Sequence, residues 1–130
     1  MSHARRVPLL AVGLAASTVL TACGGGSSSG GDAGTAQPET TVTATSGTPV
    51  VTIHDFAFTP KTLVIKAGMK VKFVQEDTVT HNVIGAAASS FIHSPVLNKG
   101  QSYTVTFSKP GTYSYICSIH PYMQAKVIVQ

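Results

Sequence analysis

Arginine is nearly missing from this 130-residue chain: Arg5 and Arg6 are its only two, and no basic run occurs anywhere. The seven lysines lie at or after Lys61 and are scattered. With no arginine after Arg6 to read guanine edges and no basic stretch to follow phosphates, the chain beyond its N-terminal segment lacks the footprint of a nucleic-acid binder. The formal charge of +4 falls to about +2 once Arg5 and Arg6 are set aside. Cysteine is also scarce, with Cys23 and Cys117 alone. A disulfide is the ordinary expectation for such a pair in an exported protein. It is rejected here because Cys23 closes an N-terminal apolar segment and Cys117 sits in a metal-ligand spacing. No His-x-His pair occurs, and no Ser-His-Asp arrangement can be argued from spacing.

The N-terminal apolar run, Leu9 to Leu20, is too short to span a bilayer comfortably as an anchor. With Arg5 and Arg6 before it, residues 1–23 have the three parts of an export signal. The closing Leu20-Thr21-Ala22-Cys23 resembles the lipobox of bacterial lipoproteins. That resemblance implies cleavage before Cys23 and a diacylglycerol thioether on its sulfur, which would hold a domain at the membrane without a spanning helix. Residues 24–47 are rich in Gly, Ser, Ala and Thr and have almost nothing to bury. They are expected to form a flexible tether with an r.m.s. span of roughly 25 to 30 Å.

Beyond Thr48 the composition shifts to short runs of Val, Ile, Thr, Phe and Tyr separated by turn residues, with no sustained helical period. Lys70 and Lys72 alternate with Val71 and Phe73; Tyr103, Val105 and Phe107 alternate with Thr104 and Thr106. His81 to Ile84 reads as another short strand. Residues 48–130 are therefore expected to form an all-β, two-sheet antiparallel Greek-key sandwich of seven to eight strands. The pattern alone does not separate an immunoglobulin-like module from other sandwiches.

Cys117-Ser118-Ile119-His120-Pro121-Tyr122-Met123 places a thiol, an imidazole and a thioether at intervals of three, where a strand gives way to a loop. Thiolate and imidazole are strong copper ligands, and thioether is a weak, soft one. A third strong ligand is required, and His81 is the best candidate. Two His and one Cys with a distant Met is the donor set of blue-copper electron-transfer sites.

His81-Asn82 followed far downstream by Tyr115-x-Cys117-x-x-His120-Pro121-x-Met123 resembles the plastocyanin and amicyanin branch of the cupredoxins. The short ligand loop is closer to amicyanin. Val51-x-Ile53-x-Asp55-Phe56-x-Phe58-x-Pro60 and Gly111-Thr112-Tyr113 resemble further family strands. The resemblance implies one copper ion held by His81, Cys117, His120 and Met123. It implies that Asn82 ties the ligand loops together, with Ser118 as its partner, and that its backbone amide donates to the Cys117 sulfur. Electrons would leave through the edge of His120, with Pro121, Tyr122 and residues Ala86 to Ala88 forming an apolar patch. His54 and His93 match no ligand position and are expected to be structural or solvent-facing. Phe73 stands where many relatives have Trp, Gln75-Glu76-Asp77 replaces an Asn-rich turn, and His93 replaces a residue that is often acidic.

The function these features imply is a non-enzymatic, monomeric, one-electron copper carrier, exported and lipid-anchored through Cys23 on the outer face of the cytoplasmic membrane. Its partners would be a redox donor and acceptor. A copper-handling lipoprotein using the same ligands, and a metal-free surface interaction module, are the alternatives.

Overall fold

The computed structural model describes residues 39–130, so the expected signal segment, Cys23 and most of the expected tether lie outside the described residues. Among the described residues nine strands form two sheets: β1 (Thr41–Thr43), β2 (Val50–His54), β3 (Ala57–Thr59), β4 (Thr62–Ile65), β5 (Met69–Gln75), β6 (Ile84–Gly85), β7 (Ser102–Phe107), β8 (Gly111–Ile116) and β9 (Gln124–Val129). One sheet has the order β1-β4-β9-β8-β6 and the other β3-β2-β5-β7.

The two-sheet, all-β architecture agrees with the sequence reading, and three details differ. Pairings β1–β4, β2–β5 and β4–β9 are parallel, so the sheets are mixed rather than antiparallel. Alternation fixes which face a residue takes but says nothing of strand direction, which follows from connections between distant segments. Thr41–Thr43, expected in the tether, instead pair with Thr62, Leu63 and Val64, and Ala44 N–H donates to Val64 C=O at 2.8 Å. The expected strand from His81 to Ile84 is reduced to an isolated bridge between His81 and Leu97 and the two residues of β6.

Inward residues of both sheets fill the core. Val51 and Ile53, Val71 and Phe73, Leu63 and Ile65, and Val127 and Val129 are all buried, while Lys70 and Lys72 face solvent. Tyr115 of β8 stacks edge-on between Phe58 (5.0 Å) and Phe73 (5.2 Å), locking the sheets face to face. The alternation that turns Tyr113 and Tyr115 inward along β8 turns Cys117 inward at its end, so the core register itself delivers the thiol. Tyr113 Oη donates to Lys109 C=O at 2.8 Å and fixes the turn that starts this strand. β2, β5 and β8 all run toward the ligand loop; β4, β7 and β9 run away from it.

Candidate metal centre

Three segments meet at one end of the sandwich: the β2–β3 hairpin, the loop from Gln75 to His81, and the loop from Cys117 to Met123. The last is closed on itself by main-chain bonds, Cys117 N–H to Met123 C=O (3.1 Å) and Met123 N–H to His120 C=O (2.9 Å). His81 is held by a two-way main-chain exchange with Leu97.

His81 Nδ1, His120 Nδ1 and Cys117 Sγ face one another, with separations of 3.2, 3.7 and 3.8 Å. A point equidistant from three atoms so spaced lies about 2.1 Å from each, within the range of roughly 2.0–2.3 Å for nitrogen and sulfur bound to a first-row metal. Two imidazoles and a thiol have no reason to converge so closely on their own account, and the donor set is that of a copper site. His81, Cys117 and Met123 are fully buried and His120 is half-buried. Among the described residues this is the one group of three or more His, Cys, Asp or Glu donors within ligating distance.

The two ligand loops are tied by a reciprocal pair: Asn82 Nδ2 donates to Ser118 Oγ, and Ser118 N–H donates to Asn82 Oδ1, both at 2.8 Å. His54 and His93 lie outside the cluster and are exposed. His54 Nδ1 is 3.1 Å from Asp55 Oδ2, and the His93 main-chain N–H donates to Tyr103 Oη.

Sequence reasoning missed two residues here. Asp77, read only as a turn residue, is buried, and its Oδ2 lies 3.0 Å from His81 Nε2. A carboxylate at Nε2 assigns the ring proton to that nitrogen and leaves Nδ1 as a lone pair aimed at the metal position. The Phe56 N–H bond holds the Asp77 carboxyl well below the usual carboxylate range, aided by His81 and the Thr78 and Val79 main chain; burial opposes this. An acid four residues before the ligand histidine was the available signal.

Phe56 is the second. His54 pairs with Ala57, so Asp55 and Phe56 form a two-residue hairpin loop with φ of 49° and 56°. Both values lie in the left-handed region that bulky residues avoid. Two contacts hold Phe56 there: its N–H donates to Asp77 Oδ2 at 3.0 Å, and its ring meets His81 and His120 edge-on at 5.6 and 5.0 Å. Ala86 to Ala88 do not join this end. Ala86 N–H bonds Ser114 C=O, about 10 Å down β8 from Cys117, and Ala88 borders a cavity with Lys109 and Tyr113 at the far end.

Residues 45–130 match the family of copper binding proteins described as plastocyanin/azurin, and the chain belongs to that family. More specifically, the sequence is 37% identical over 90 residues to amicyanin-alpha of Methylorubrum extorquens, covering 67% of this chain and 76% of that one. Among solved structures, a reduced amicyanin variant superposes with a TM-score of 0.60 at 33% identity, over 65% of this chain and 83% of that one. A copper-containing nitrite reductase from Thermus scotoductus is also similar (TM-score 0.59, 36% identity), over 64% of this chain but 22% of that one. The family cofactor is one copper ion, and the converging donors fit it.

Proposed function

We propose that this protein is a type 1 blue-copper electron carrier in which His81, Cys117 and His120 would hold the metal and Met123 would supply a weak thioether donor. The convergence of two Nδ1 atoms and one Sγ carries this reading. A copper ion held there supplies a one-electron Cu(II)/Cu(I) couple. The residues supply rigidity: the Asn82–Ser118 pair, the Leu97 bridge and the Asp77 carboxylate fix the donors. Donors held by such bonds would need little rearrangement when the charge on the metal changes.

His120 is the route to partners. Four of the large hydrophobic side chains exposed among the described residues, Phe56 (38%), Val79 (38%), Ile119 (44%) and Tyr122 (67%), belong to the segments surrounding it. Such a patch suits brief docking of a redox donor or acceptor. The nitrite reductase likeness covers too little of that protein to bring an enzymatic activity with it. Cys23, by its lipobox, would carry the lipid that keeps the domain at the outer face of the membrane. Among the described residues no helix is long and apolar enough to cross a membrane.

The test is the visible spectrum of the protein with Cu(II), before and after ascorbate. An intense thiolate-to-copper band that ascorbate bleaches is expected, and is lost in Cys117→Ser. A pale sample would overturn the ligand assignment. Mass spectrometry of the membrane fraction, with Cys23→Ser as comparison, tests the anchor.

A further inference from the structure

Behind His81 stands a side chain to which nothing in the ligand motif points. Gln75 ends β5 and is fully buried. A buried carboxamide left without partners costs stability, so the destination of each polar atom matters. Its Oε1 accepts the Asp77 N–H at 2.8 Å, and its Nε2 donates to Val79 C=O. The amide therefore spans the turn that carries Asp77 from the inside. From the neighbouring strand β2, Ile53 C=O accepts both Glu76 N–H and Asp77 N–H, at 2.8 and 3.1 Å, so the Asp77 N–H is shared between Ile53 and Gln75.

The main chain of Gln75 is equally fixed. Its N–H donates to Gln101 C=O, and its C=O accepts from Gly100 N–H. His81 is fastened to the same neighbouring segment through Leu97, by N–H to C=O bonds of 3.2 and 2.7 Å in the two directions. Gln75 and His81 are thus two posts on one rail, and Asp77 is suspended between them. The carboxylate reaches Thr78 N–H with one oxygen and Phe56 N–H and His81 Nε2 with the other. Its direction depends on the turn that Gln75 holds open.

We propose that Gln75 is a positioning residue for the copper ligand His81, acting through Asp77; the inference rests on the reading of His81 as a ligand. The hydrogen bonds of the Gln75 carboxamide go to Asp77 and Val79 rather than to the imidazole. It sets the turn, the turn aims the carboxylate, and the carboxylate holds the ring with Nδ1 toward Cys117 and His120. Removal of an outer partner of a ligating histidine lowers metal affinity by about 10–100-fold in general, and an indirect brace is expected at the lower end of that range.

The experiment compares the parent with Gln75→Leu, which keeps the bulk without the polar atoms, and Val71→Ala, which opens a cavity on the same strand. Gln75→Met stands in should Leu fail to fold. Two quantities are read besides thermal stability: exchange of the His81 Nε2 proton in the metal-free protein by NMR, and Cu(I) affinity by chelator competition. In Gln75→Leu the exchange is expected to speed up and the affinity to fall, each about tenfold. Val71→Ala should lose stability alone. In an Asp77→Asn background, Gln75→Leu should add nothing further to the loss of affinity. The proposal is overturned if Gln75→Leu behaves like Val71→Ala, or if its effect on affinity persists undiminished beside Asp77→Asn. An unchanged affinity in His81→Ala would instead remove the ligand reading, and the exchange comparison in metal-free protein would still report on Gln75.

Discussion

Removing the Asn82 side chain is the sharpest probe of how the two ligand loops are held. Asn82 is 8% exposed, and its amide makes two bonds to one residue across the site, each 2.8 Å long. Ser118 is exposed, so water can replace a lost partner there, and each bond contributes near its net value of about 1 kcal/mol rather than a full desolvation penalty. Asn82→Ala should therefore destabilise the metal-free protein by about 2 kcal/mol. Ser118→Ala removes the hydroxyl but keeps the main-chain N–H, so it should cost about 1 kcal/mol. The double variant should cost no more than Asn82→Ala, leaving a coupling of about 1 kcal/mol. Urea unfolding followed by fluorescence and circular dichroism measures all four proteins, with equal slopes required before midpoints are compared. Strict additivity would refute the reasoning, because the two side chains would then be acting independently. A Ser118→Ala cost equal to that of Asn82→Ala would refute it differently, by assigning no weight to the main-chain bond.

Three further outcomes follow from other parts of the fold. Tyr115 Oη is buried with no hydrogen-bond partner among the described residues, and burial pushes the phenol well above its ordinary range. Tyr115→Phe should raise stability by about 1 kcal/mol. The raised folded-state pKa means the unfolded chain ionises first, so the parent loses stability as pH climbs past about 10. The variant should lose less over the same interval, and unfolding curves at neutral and alkaline pH decide this. A β-carbon on Gly85 would lie 1.8 Å from the Ser89 carbonyl oxygen, so Gly85→Ala must displace the turn after β6. A loss of about 2 kcal/mol is expected, and an unchanged melting temperature would mean the turn yields freely. Phe56→Asn suits a turn with positive φ at both central positions but discards the ring contacts to His81 and His120. Relief of about 1 kcal/mol in the backbone should nearly cancel the loss of the edge-on contacts. A cost beyond about 2 kcal/mol would show that the histidines, not the turn, hold the hairpin.

The strands were legible because alternation along β5 and β7 reads directly as inside and outside. Equally legible was the spacing of Cys117, His120 and Met123, since one loop holds all three. What escaped the sequence has a common physical form. Asp77 and Gln75 act through hydrogen bonds within and between loops, and nothing in composition announces which turn residue is buried. Phe56 sits in a turn conformation its side chain disfavours, so propensity argued against its position. Strand β1 escaped because Thr41-Val42-Thr43 lies within a Gly-, Ser- and Thr-rich stretch and all three of its residues are exposed, so nothing in the pattern marks a buried face.

Labour is divided unequally between the two ligand loops, and this bears on how such a protein changes over generations. The segment from Cys117 to Met123 closes through its own main chain, and its side chains at Ile119, Pro121 and Tyr122 point outward. Heritable variation at those three positions can redraw the face offered to a partner while the closure beneath stays the same. The His81 segment has no such freedom, because besides the bonds within its own turn it is fastened to Ile53, Phe56, Leu97 and, through Asn82, Ser118. One loop is free to diverge with its partners, and the other is held to a single solution.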